Sequence, residues 1–146
     1  MRFWCLLLAL LTHPAFALDK ITDEAIKQFL SQQSTFVMQK EPEKLMALFA
    51  DKYQQFNKKQ QATIGKDELK KIYTGNFLVA KLIINTIQLT DSKIADDGLH
   101  AQINTHVFNR YLIEYAEKQN VLTQEEDWHS ELVLENGQLL YLKTEK

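Results

Sequence analysis

The chain has 146 residues, 45% of them hydrophobic and 25% charged, with a formal net charge of −2. That length and apolar share suit one domain around one core, and the mild acidity, without any basic block, speaks against nucleic acid as a partner. A single cysteine and four scattered glycines exclude an internal disulfide and a Gly-rich phosphate loop, so a nucleotide fold is not expected.

The first segment reads as an export signal. Arg2 supplies a positive start, Phe3 to Leu11 is an uninterrupted apolar run, and Ala15-Phe16-Ala17 has the small–large–small pattern of a signal peptidase site. The apolar run spans about 14 Å as helix, roughly half of what a bilayer core needs, so no retained membrane anchor is expected. Cleavage after Ala17 leaves residues 18–146 as a single domain in the periplasm or outside the cell. It also removes Cys5, and with it any thiolate nucleophile or cysteine-ligated metal.

Asp19 to Lys40 is expected to be a helix. Thr22 is its N-cap, Asp23 and Glu24 occupy the first turn, and Ile26, Phe29, Leu30, Phe36 and Val37 recur at helical spacing. Pro42 suits the first position of a second helix running to about Phe49. Asp51 to Ile64 has weak periodicity, and Asn57 to Gln61 reads as an exposed loop or edge strand. Gly65 then precedes a third helix, opened by Lys66-Asp67-Glu68 and carrying Leu69, Ile72, Tyr73, Phe77 and Leu78, with Gly75 weakening its second half.

After about Leu82 the period falls from 3.6 to 2. Ile83, Ile84, Ile87 and Leu89 suggest a strand, and Asp96-Asp97-Gly98 a turn. From Leu99 to Tyr115 the alternation is sustained, with Ala101, Ile103, Thr105, Val107, Asn109, Tyr111 and Ile113 on one face. His106, Arg110 and Glu114 lie on the other, where an Arg110–Glu114 pair along the strand is expected. Glu117 to Asn120 reads as a loop, Val121 to Leu134 as a strand, and Asn136-Gly137 as the type I′ turn of a closing hairpin with Leu139 to Lys143. Helices gathered first and strands last predict an α+β domain, in which N-terminal helices pack on a curved mixed or antiparallel sheet.

In this order the chain resembles the nuclear transport factor 2-like superfamily, the cone fold that includes ketosteroid isomerase. The resemblance rests on the long helix from Thr22, the Leu45–Phe49 segment leading into Ala50-Asp51-Lys52-Tyr53, Ile64-Gly65-Lys66-Asp67-Glu68-Leu69, and Asn136-Gly137-Gln138-Leu139. It spans nearly all of residues 18–146 and departs between Tyr115 and Trp128. It implies a cone-shaped cavity, and family enzymes place a carboxylate base and tyrosine or acid donors inside it.

No residue here matches those catalytic positions, so no catalytic, cofactor or metal residue is assigned. Tyr53, Tyr73, Tyr111 and Trp128 are the candidate pocket residues. Trp128 shares a face with Ser130, Leu132 and Leu134, which also suits core packing. His100 and His106 are about 20 Å apart along one strand face, too far to share a metal. The leading expectation is a non-catalytic exported domain that takes a small apolar ligand or an envelope protein. The alternative is a small isomerase- or dehydratase-like enzyme using Asp51 or His106 with a tyrosine donor. A homodimer through the apolar side of Leu99–Tyr115 is a further expectation.

Overall fold

The computed structural model describes residues 17–115 and 118–146. The expected leader therefore lies almost wholly outside the described residues, as does Glu117 of the expected loop. Among the described residues, no helix is long and apolar enough to cross a membrane.

Three helices precede most of the sheet: α1 (Asp23–Met38), α2 (Pro42–Met46) and α3 (Lys66–Val79). Thr22 caps α1, its hydroxyl accepting from Ala25 N–H at 3.1 Å, and Pro42 starts α2 without needing a donor. Ile26, Phe29, Leu30 and Val37 of α1 are buried, as the periodicity requires. In α3 the same test separates the apolar residues: Leu69 and Phe77 are buried, whereas Ile72 and Leu78 are exposed. Leu69, Tyr73 and Phe77 follow each other at four-residue steps and share one face, while Leu78 falls on the opposite one.

The strands are β1 (Phe49–Asn57), β2 (Ala62–Gly65), β3 (Ala80–Ile94), β4 (His100–Tyr115), β5 (Lys118–Glu135) and β6 (Gln138–Glu145). They form one sheet in the order β2-β1-β6-β5-β4-β3. All neighbours are antiparallel except β1 and β6, so the sheet is mixed. Bulges in β3 at Thr90, between Leu89 and Asp91, and in β6 at Leu142, between Tyr141 and Lys143, bend the sheet.

Three expectations are corrected. Phe49 opens β1 rather than ending α2, because the helix stops at Met46. Lys58 to Gln61 form an exposed turn joining two paired strands, in line with the loop expected there. Lys118 to Asn120 are strand, paired in register with Ile113 to Tyr115, so polarity there marks an exposed strand end and not a loop. Glu114 pairs with Lys81 across β3 and β4, not with Arg110, since the cross-strand neighbour is nearer than the residue four positions along.

Phe29, Phe49, Tyr53 and Tyr141 fill the space between α1 and the sheet. Their ring centroids lie 4.9 Å (Phe29–Tyr141), 4.7 Å (Phe49–Tyr53) and 5.1 Å (Phe49–Tyr141) apart. Tyr141 donates to Gln33 Oε1 at 2.6 Å, and both residues are buried. This aromatic block packs α1 onto the sheet.

Candidate functional site at the cone mouth

Register fixes what the inner face of the sheet presents. Across β3, β4 and β5 the rows read Ile83–Tyr111–Leu122, Asn85–Asn109–Gln124, Ile87–Val107–Glu126 and Leu89–Thr105–Trp128. Odd positions of β4 point inward and meet even positions of β5, so Glu126 stands on the inner face beside Trp128. Toward Lys118 this face loses its cover: Trp128 is buried, Glu126 is half-buried, and Gln124 and Leu122 are exposed. There Tyr111, Ile113, Leu122 and Gln124 meet Asn76 and Val79 of α3 around a crevice of about 50 Å³. Leu122 and Val79 remain 47% and 59% exposed, so the crevice continues as an open apolar shelf.

The four candidate pocket residues do not all reach this mouth. Tyr53, on β1, packs its ring edge-on against Phe49 and is 2% exposed, with its hydroxyl 3.4 Å from Gln55 Oε1. It belongs to the core. Tyr73 of α3 lies with its ring centroid 5.7 Å from that of Phe77. Burial holds its phenol above the usual range, reinforced by nearby Tyr111, Tyr53 and Glu126. Tyr111 lines the crevice, and its phenol is raised by burial and then by Glu126. Trp128 is buried and donates its indole N–H to Glu126 Oε2 at 3.0 Å.

Glu126, Lys146 and Trp128 form a compact set that sequence reading missed. Lys146 Nζ is 3.2 Å from Glu126 Oε2 and 4.2 Å from the centroid of the Trp128 ring, a cation–π distance. Paired backbone bonds, Lys146 N–H to Phe56 O and Lys58 N–H to Lys146 O, both 3.0 Å, hold the lysine there. Burial alone would raise the Glu126 carboxyl. Lys146, the Trp128 indole and the charge of Lys59 outweigh it and hold the group below its ordinary value. Burial likewise lowers the Lys146 amine, with Glu126 opposing. The signal for Glu126 was available: the alternation Trp128, Ser130, Leu132, Leu134 reaches it one step earlier.

The groups named for an acid–base role lie elsewhere. The Asp51 side chain is fully exposed and bridged to Lys66 Nζ at 3.0 Å. His106 is on the outer face, its Nδ1 2.8 Å from Asp127 Oδ1. His100 and His129 are likewise engaged, by Asp97 at 2.9 Å and Asn104 at 2.7 Å.

A larger hollow, about 780 Å³, lies between α1, α2 and the β5–β6 hairpin, lined by residues such as Gln28, Phe36, Lys44 and Leu140. Among the described residues Lys44 is its one charged lining residue. Glu126 and Lys146, with Lys59 and Asp127, line a separate hollow of about 420 Å³ next to the crevice row.

No family model matches the chain, and no curated protein matches it. Solved structures do. A conserved protein from Planctomyces limnophilus superposes with a TM-score of 0.74 at 14% identity, over 84% of this chain and 92% of that one. A provisionally named scytalone dehydratase from Novosphingobium aromaticivorans gives 0.70 at 18% identity, over 84% and 80%. A nuclear transport factor 2-like protein of unknown function from Shewanella oneidensis gives 0.66 at 11% identity, over 84% and 95%. With three helices laid on one face of a bent six-stranded mixed sheet, the chain has the nuclear transport factor 2-like cone fold.

Proposed function

We propose that this is a binding domain whose cone mouth takes a small, largely apolar molecule without transforming it. The observation that carries this reading is the pairing of the inward carboxylate, Glu126, with Lys146 and Trp128. A carboxyl held ionised in this way has low proton affinity, the reverse of what a general base near neutral pH requires. Tyr73 and Tyr111 stay neutral and supply hydrogen bonds, while Val79, Ile113 and Leu122 supply apolar surface.

Nile red, a neutral dye that brightens in apolar surroundings, tests the reading. The expected result is saturable one-to-one binding that falls at least about ten-fold in Leu122→Glu, at an exposed position. Leu140→Glu, in the trough beyond α1, should leave it unchanged. The reverse pattern would remove the mouth as the site.

One observation favours an isomerase- or dehydratase-like enzyme as the second reading: a half-buried carboxylate, Glu126, stands within electrostatic reach of two neutral phenols, Tyr73 and Tyr111. In that reading Glu126 replaces Asp51 and His106 as the acid–base group, and Lys146 must release it during turnover.

Export to the periplasm or beyond is part of the proposal and rests on the Arg2, Phe3–Leu11 and Ala15–Ala17 pattern. Edman sequencing of the protein from its own cells should begin at Leu18. Self-association is proposed on the outer face of the sheet, because the inner side of β4 is committed to the core. There Leu82, Leu112 and Val121 form one cross-strand row, with Ile84 in the next. Leu112→Glu should convert a dimer to monomer by light scattering, and a wild-type monomer would remove the proposal.

A further inference from the structure

Among the described residues β2, β3 and part of β5 each have one side without a strand partner, and the first two are guarded. β2 is short, and β3 carries Lys81, Asp91 and Lys93 with bulges at Lys81 and Thr90, devices that discourage further pairing. β5 has no such protection. β6 leaves it at His129, opposite Glu145, so Lys118 to Asp127 pair with β4 alone. That stretch has no register shift, no proline and no glycine, and Gln119 to Gln124 is an uncharged run.

One bond fixes which backbone groups face the free side. Leu134 N–H donates to Leu99 O at 2.8 Å, toward β4, and the register with β4 runs unbroken from Val133 to Lys118. Backbone groups alternate between the two sides of a strand, so those of Gln119, Val121, Thr123, Glu125 and Asp127 point away from β4. Among the described residues no strand pairs with them there. Their side chains are exposed on the outer face. Where this edge meets the end of β6, the hollow of about 420 Å³ is lined by Asn57 and His106 as well as Glu125 and Asp127. Asp127 engages His106 at 2.8 Å and Glu125 stands 4.0 Å from it, and among the described residues neither carboxylate bridges to a lysine or arginine. Of the two lysines in the hollow, Lys146 is bridged to Glu126.

We propose that the free edge of β5 takes an extended segment of another protein as an added antiparallel strand, one with lysine or arginine at two alternate positions facing Glu125 and Asp127. Main-chain bonds to the outward groups of β5 supply the affinity, and alternate side chains supply the choice of partner. The antiparallel direction is the more stable per residue. Residues directly opposite then share a face, where opposite charges stabilise the pair and like charges oppose it. The hollow gives the two cationic side chains room, and β-branched residues suit the positions opposite Val121 and Thr123. These backbone groups are used neither by a ligand at the mouth nor by face-to-face association, so the proposal stands or falls apart from both.

The capped, fluorescein-labelled peptide Lys-Thr-Lys-Thr-Val-Leu-Val-Thr places its lysines opposite Asp127 and Glu125, and anisotropy reads its binding. Saturable binding is expected. N-methylation at its third and fifth residues, whose N–H groups face β5, should abolish binding, whereas N-methylation at the fourth and sixth, which face away, should leave it. Replacing both lysines by glutamate should weaken binding at least about five-fold, and Glu125→Lys combined with Asp127→Lys should reverse that preference. Thr123→Pro removes one donor from the free edge and none from the β4 side, so it should also abolish binding. If that variant fails to fold, the methylated peptides carry the test on the unaltered protein. Absence of saturable binding, equal effects of the two methylation patterns, or indifference to charge would overturn the proposal. So would a dimer that Thr123→Pro dissolves, because the edge would then belong to a second copy of this chain.

Discussion

At the scale of single residues, the buried polar contacts are where small changes should tell most. Tyr141 and Gln33 are each 1% exposed and depend on one another for a 2.6 Å hydrogen bond. Tyr141→Phe keeps the ring and strands the Gln33 carbonyl, so a loss of about 1–3 kcal/mol is expected. Urea unfolding should report it as a lower midpoint with an unchanged slope. Glu126 makes a different kind of prediction. Its carboxyl is lowered in the fold, so it adds stability above the unfolded-state value, about pH 4.3, and that contribution disappears as pH falls through the folded value. Stability measured against pH should therefore show an acid limb that Glu126→Gln flattens. An unchanged limb would mean that the Lys146 and Trp128 contacts do not hold the charge.

Residues also mark the limits of sequence reading. Tyr111 and Trp128 were legible because aromatic side chains at alternating positions stand out from their neighbours. Glu126 was hidden among Glu125 and Asp127, two outward carboxylates that make the stretch look uniformly solvated. Asn85 and Asn109 were invisible as a pair, because their contact spans 24 residues and depends on register that no local pattern encodes.

At the scale of elements, local chemistry accounts for the ends better than for the lengths. Thr22 caps α1 as its sequence indicates, and Thr22→Ala should cost about 1 kcal/mol, measurable by thermal or urea unfolding. The hairpin turn is equally determinate. Asn136 and Gly137 both have positive φ, 52° and 75°, as a type I′ turn demands. A Cβ on Gly137 would stand 2.5 Å from Ala17 Cβ, and the Gly137 carbonyl accepts from Leu18 N–H at 3.0 Å. Gly137→Ala should thus lower stability, because the turn holds this residue at positive φ, visible as a lower urea midpoint. Strand ends at the open rim were misjudged for a physical reason. Exposed on both faces, Lys118 to Asn120 show no hydrophobic alternation, and only pairing with β4 reveals them as strand.

At the scale of the whole molecule, α+β organisation and the cone fold were readable from the order of periods and the motifs at the turns. The sheet order was not, because the parallel pairing of β1 with β6 joins the two ends of the chain. That pairing is also what carries Lys146 to Trp128 and Glu126. The aromatic packing of Phe29, Phe49, Tyr53 and Tyr141 fills the space between α1 and the sheet with side chains.

Amide shift mapping of the isotope-labelled protein with Nile red tests the central claim most directly, because the mouth and the larger trough beyond α1 share no lining residue. Shifts confined to Asn76, Tyr111, Ile113, Leu122 and Gln124 are the expected result. Shifts at Phe36, Lys44 and Leu140, with the mouth silent, would contradict the account.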